Sequence, residues 1–357
     1  MLVVLDAMRC VSVSLVVMLA AVLAGCGGGG STSSGRAHGP GTLYLEGLAK
    51  GNLDRLVALN VQTGRARTLP IMVGCSDADV CFVPSGGKLV IASGRTSVYD
   101  PHRPGPPHVR HIGSAWSIVP SATDGRVWLA LRDHRKKVRG TWPTLKLRTV
   151  REVTVDGRVT RTARAPGLDW WPGGPGSFPV SAARAGLVFV TDDGLRVWDV
   201  RRREVTVRVP GRAPSVFDTR ENQIAWCGGS CQRLRITDGR TGKTKQVKPP
   251  AGYSFKYEGA FSPDGSLLAV PVVPDAEAKD PDGARWSMAL VNLRRGAASI
   301  VAGSRLDPDY HAMAWSASDG RLFFSAGGGR IMTYRPGAPR ATKIGRVHGP
   351  IFHMAAL

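Results

Sequence analysis

The 357-residue chain lacks the signatures on which most catalytic assignments rest. It has no Gly-x-Ser-x-Gly elbow, no His-Glu-x-x-His pair and no Walker-type loop, which removes the local basis for serine-hydrolase, zincin and P-loop chemistry. The glycines at 27–30 are not a phosphate cradle, because no strand precedes them and no helix follows. Helical periodicity is almost absent beyond residue 40, which argues against bundles and doubly wound α/β folds. Apolar runs of any length are missing apart from one, Val11 to Leu23, so the chain does not read as a polytopic membrane protein. Acidic residues are few, 27 Asp and Glu against 48 Lys and Arg. The composition, 43% hydrophobic and 21% charged, excludes disorder and suffices for a large core.

The single apolar run follows Arg9 and closes with Leu23-Ala24-Gly25-Cys26. Its length and the small residues at its end read as a secretory signal over residues 1–25. Leu23, Ala24, Gly25 and Cys26 resemble the bacterial lipobox at all four positions. That resemblance implies cleavage before Cys26, a diacylglycerol on its thiol and a mature protein held on the outer side of the cell membrane. Residues 26–40, "CGGGGSTSSGRAHGP", then read as the lipidated cysteine and a flexible tether, and residues 41–357 as the folded domain.

Cysteine usage agrees with export. Cys10 leaves with the signal and Cys26 carries the lipid, so Cys75, Cys81, Cys227 and Cys231 remain as two close pairs. In an oxidising compartment the expected disulfides are local, Cys75 with Cys81 and Cys227 with Cys231. A zinc site from the same thiols is disfavoured, because neither pair has the usual ligand spacing. The net charge of +21 suggests nucleic acid as a partner, but an exported chain with arginines scattered along it fits anionic lipid or cell-wall polymer better.

Two phrases alternate along the chain. The first is a hairpin around a Ser/Pro/Asp/Gly turn, as in "AFSPDGSLLAVPV" at 260 and "AWSASDGRLFFSA" at 314. The second is a strand ending in Asp or Asn, a turn and another strand, as in "RLVALNVQTGRARTL" at 55, "LRVWDVRRREVTVRV" at 195 and "SMALVNLRRGAASIV" at 287. Asp-Gly and Gly-Gly supply the positive φ of tight turns, and the flanking β-branched residues favour strands. Together the phrases make a four-stranded antiparallel unit, and seven such units predict an all-β, seven-bladed propeller. A β-sandwich does not explain so regular an order. The final "GPIFHMAAL" is then the missing innermost strand of the first blade, closing the ring without a bare edge. Ser262-Pro263-Asp264-Gly265 and Val197-Trp198-Asp199-Val200 resemble the WD40-like and TolB-like propellers of bacterial secreted proteins.

Insertions at 133–148, 165–178 and 273–286 break the rhythm, and such loops on a stiff frame are where binding surfaces are built. Trp170 and Trp171 are candidates to stack on a sugar or a partner's apolar surface, unless one of them plugs a groove between blades. Trp116, Tyr257, Glu258, His311 and His353 fall near the starts of expected innermost strands, around the channel mouth where propellers take ligands. Plain strand capping is the simpler role for each. His102, His108 and His111 share one proline-rich turn and are expected to be a solvated loop. Trp128, Trp198, Trp226 and Trp315 belong to repeat strands and are expected in the core. No cofactor is implied. The sequence reads as an anchored binding or scaffolding module for an envelope protein, a glycan or a small polar ligand; the alternative is a lyase- or lactonase-like enzyme at the channel mouth.

Overall fold

A computed structural model describes residues 41–49, 53–73, 82–93, 95–115, 117–131, 149–165, 179–191, 193–212, 214–229, 231–256, 258–278, 283–306, 312–349 and 351–357. These residues form seven antiparallel sheets arranged as blades. Blade 1 is ordered Ile351–Ala356, Thr42–Ala49, Leu53–Asn60, Ala66–Met72 from inside to outside. The expected closure is therefore present: the last strand of the chain pairs with the first, Leu43 opposite Ala356 and Leu45 opposite Met354. The innermost strands of the next blades are Phe82–Ser85, Ser117–Pro120, Pro179–Ala183 and Pro214–Arg220. Blade 6 begins with an interrupted strand, Tyr253–Phe255 and Ala260–Phe261, and blade 7 with Met313–Trp315. Each innermost strand touches the next, and the circuit returns to Ile351–Ala356. The protein is a seven-bladed β-propeller.

The core lies between blades. Among the described residues there are seven apolar clusters, each drawn from two neighbouring blades. Trp128 of blade 3 packs with Leu187, Phe189 and Trp198 of blade 4, and Leu43, Leu45 and Leu59 of blade 1 pack with Phe323 and Ile331 of blade 7. Strand alternation produces this arrangement, because both faces of every sheet must be covered and each blade covers its neighbours. Trp128, Trp198, Trp226 and Trp315 are all buried, as expected.

The Asp or Asn of the second repeat phrase has a mechanical role. Asn60, Asp199, Asp238 and Asn292 end the third strands of blades 1, 4, 5 and 6. In each case Oδ1 accepts two backbone N–H bonds from the turn, for example from Arg201 at 2.8 Å and Arg202 at 3.2 Å on Asp199, and from Arg294 and Arg295 at 3.1 and 3.0 Å on Asn292. One short side chain thus satisfies the donors that a tight turn leaves over. The fourth residue after each cap has a positive φ, 66° at Gly64, 73° at Gly242 and 63° at Gly296. In blade 4 the same position is Arg203, at φ 58°, where a side chain costs about 1 kcal/mol relative to glycine.

Candidate functional site

Up-and-down strand order sorts every connection to one of two ends of the ring. Turns between the first and second strands, and between the third and fourth, gather at one end, called here the turn end. Gly41, where the described chain starts, lies there too, its carbonyl accepting the Val61 N–H at 2.7 Å. Connections between second and third strands, and from one blade to the next, gather at the opposite, insertion end. All three long insertions belong to that end: 132–148 joins Arg126–Leu131 to Thr149–Thr154, 165–178 precedes Pro179–Ala183, and 275–286 joins Leu267–Pro274 to Ser287–Asn292.

Many of the sequence-nominated residues lie outside the described residues: Trp116, Trp170, Trp171, His311, Cys75 and Cys81 belong by chain order to insertion-end connections, Tyr257 to the break in the innermost strand of blade 6, and Cys26 comes ahead of the ring in sequence. Four nominated residues are described: Glu258, His353, Cys227 and Cys231. Glu258 is exposed in the gap between Tyr253–Phe255 and Ala260–Phe261. His353 sits on the closing strand, where Nδ1 is 2.7 Å from Oε2 of Glu46, a carboxylate in a residue 2% exposed. Its ring also meets Phe82 edge-on at 6.3 Å. His353 thus binds the closing strand to its neighbours on both sides. Cys227 and Cys231 form a disulfide with a Cα separation of 5.0 Å, bracketing an insertion-end connection.

Side chains also stitch neighbouring innermost strands around the channel. Thr219 of blade 5 donates to the Ala182 carbonyl of blade 4 at 3.0 Å, and Trp315 Nε1 of blade 7 donates to the Ala260 carbonyl of blade 6 at 2.8 Å. Between them, the Asp218 carboxylate accepts the Thr219 and Phe261 backbone N–H groups at 2.7 Å each, linking blades 5 and 6. Asp218 as a residue is half-buried, yet its carboxyl lies among packed protein atoms. Desolvation pushes its pKa up to about 6, against the two N–H bonds and nearby Arg220, which lower it. Because the folded pKa exceeds the unfolded value of about 4, the native state holds the extra proton between those values. Asp218 therefore lowers stability progressively as pH rises from about 4 to about 6, and by a constant amount above. Titration of the carboxyl carbon by NMR is expected to give a midpoint near 6, and a midpoint near 4 would contradict this placement.

The proline-rich histidine turn does not gather its three rings. His111 Nδ1 lies 2.7 Å from Ser97 Oγ, whereas His108 lines a shallow hollow of about 180 Å³ with Lys88, Asp100, Arg103, Arg110 and Asp156. There Lys88 Nζ is 3.4 Å from Asp100 and 3.5 Å from Asp156, and Arg110 is 3.0 Å from Asp156. The hydrogen bond from Arg110, helped by Lys88, holds Asp156 below the usual carboxylate range. The acids of the hollow thus already face cations. Among the described residues no three His, Cys, Asp or Glu side chains converge as a metal site would require.

The strand pairing itself defines the class, a closed seven-bladed propeller. No protein-family model matches the chain, and no curated protein matches it. Solved structures similar to it include apo AztD from Citrobacter koseri, with TM-score 0.49, 13% identity and coverage of 88% of this chain and 97% of that one. Another is the WD40 domain of Toxoplasma gondii coronin, with TM-score 0.46, 10% identity and coverage of 79% and 72%. These are likenesses of fold, and no residue role is carried across from them.

Proposed function

We propose that the protein is a lipid-anchored, extracytoplasmic propeller that binds or scaffolds an envelope protein, a glycan or a small polar ligand. The observation that carries this reading is the division of labour between the two ends of the ring. The chain leading from Cys26 joins the ring at the turn end, by Gly41, while every long insertion leaves from the other end. An anchor at Cys26 thus leaves the insertion end, with the Trp170-Trp171 pair, free to meet a partner. Ring-shaped scaffolds are suited to this, because loop changes leave the packed blades untouched.

Replacing Cys26 with Ala is expected to abolish incorporation of labelled palmitate and to leave unprocessed precursor in the membrane fraction. Labelling that survives the substitution removes the anchor from this reading.

A further inference from the structure

The basic charge, scattered in the sequence, is sorted by the fold. The seven outer turns, between third and fourth strands, are 61–65, 100–108, 155–158, 200–203, 239–243, 293–296 and 335–341. They hold twelve Arg or Lys and two Asp, and all twelve cations are exposed. Of these twelve, only Arg202 lies within 4 Å of a carboxylate among the described residues, at 3.8 Å from both Asp199 and Glu204. The inner turns of the same end hold four acids, and each is engaged: Asp124 accepts the Gly86 N–H, Glu221 pairs with Arg184, Asp264 takes both Ser262 and Ser266, and Asp319 pairs with Arg321. The connections of the insertion end carry, by sequence, thirteen basic and twelve acidic residues, leaving out the break at 256–259. The outer and inner turns of one end together hold fourteen Arg or Lys against six acids, a wreath with a clear surplus of cations, while the other end is near balance. Arg203 adds to the wreath from a left-handed position that the sister turns give to glycine.

We propose that the turn end docks directly on anionic phospholipid headgroups, as a second membrane contact beside the lipid on Cys26. The inference rests on the anchored reading above for its geometry, because the tether joins this same end at Gly41. Fourteen residues separate Cys26 from Gly41, and a flexible Gly/Ser-rich chain of that length in general has an end-to-end distance of about 20 Å. Attraction between exposed charges fades within about 8 Å at physiological salt, so a leash of this length keeps the wreath within a short diffusive step of the surface it fits. Each cation near an anionic leaflet strengthens binding about fivefold. A docked turn end also points the insertion loops outward.

Every strand of the ring lies between residues 42 and 356, so the chain from residue 27 onward, made without lipid, contains the whole fold. It is expected to sediment with vesicles of phosphatidylcholine containing about 30% phosphatidylglycerol, to release in 0.5 M salt and to ignore pure phosphatidylcholine. Changing Arg201, Arg202, Arg240, Arg294 and Arg295 to Gln is expected to weaken vesicle binding at least a hundredfold, at about fivefold per charge. Changing Arg212, Arg233, Lys248, Arg305 and Arg330 at the insertion end removes the same net charge and is expected to cost less than tenfold. Equal losses from the two sets, indifference to phosphatidylglycerol, or tighter binding to duplex DNA or a polyphosphate polymer at the same salt overturns the proposal. Since this chain carries no lipid, its failure leaves the Cys26 assignment standing, and failed labelling of Cys26 leaves vesicle binding to be judged alone.

Discussion

Deletion of residues 351–357 is expected to abolish cooperative unfolding of the ring, a loss of about 5 kcal/mol or more and thus comparable to the stability of a typical domain. The deletion removes the innermost strand of blade 1, including Ile351 and Ala355, each 1% exposed. It bares one edge of the strand that carries Leu43, Tyr44 and Leu45, which are buried in the closed ring. It also strips His353 from Glu46, and a buried carboxylate without its partner costs the desolvation that the pair had offset. A thermal melt by circular dichroism, with dye binding to report exposed apolar surface, measures the outcome. A peptide spanning 349–357 added in trans is expected to restore a cooperative melt, and the same peptide with Ile351→Asp is not. A truncated chain that melts cooperatively within about 5 °C of the full one would show that closure by the terminal strand contributes little.

Trp226→Ala is the point substitution expected to cost most, about 3–5 kcal/mol. Trp226 is fully buried at the interface of blades 4 and 5, among Val188, Val190, Leu195 and Ile224. Its Nε1 donates to Thr237 Oγ1 at 2.8 Å, and Thr237 in turn pairs with Thr244. The Arg235 guanidinium covers the ring at 4.7 Å, and the chain at Gly211 runs so close beneath it that a Cβ there would sit 2.7 Å from two ring carbons. Truncation therefore leaves a cavity walled by backbone that has little room to collapse. Trp226→Phe keeps most of the bulk and loses the hydrogen bond, so a smaller cost of about 1–2 kcal/mol is expected. Denaturant midpoints of the two variants check the ordering. A loss below about 1 kcal/mol for the alanine variant would mean that the site repacks.

Much of the fold was legible because propeller blades are specified by turns, and turn chemistry is local. Asp264 and Gly265 mark a hairpin, and Asn60, Asp199, Asp238 and Asn292 mark the outer turns, whatever the rest of the chain does. The Cys227–Cys231 bridge was legible for the same reason, since four positions along the chain suffice to define it. What escaped reading depends on register and on neighbours distant in sequence. Glu46 meets a histidine 307 positions away, and Asp218 reaches the N–H of Phe261 in another blade, so alternation alone could not tell these acids from solvent-facing ones. The break in the innermost strand of blade 6 was hidden as well, because "SFKYEGAFS" reads as one run. His353, nominated near the channel mouth, lies on the closing strand, and its contacts include a buried acid and a phenylalanine ring, neither of them near it in sequence.

The capped outer turns have a consequence for how this molecule could change over evolutionary time. A single Asp or Asn at the end of a strand fixes the path of the backbone by holding the amides two and three residues on, so in the turn of blade 6 the Arg294 and Arg295 side chains are not what shapes the loop. Those side chains are free to drift in sign and size while the blades stay folded. Surface charge at that end can thus be rewritten one capped turn at a time, four nearly independent dials on one frame, and affinity there can be selected without a matching search for stability.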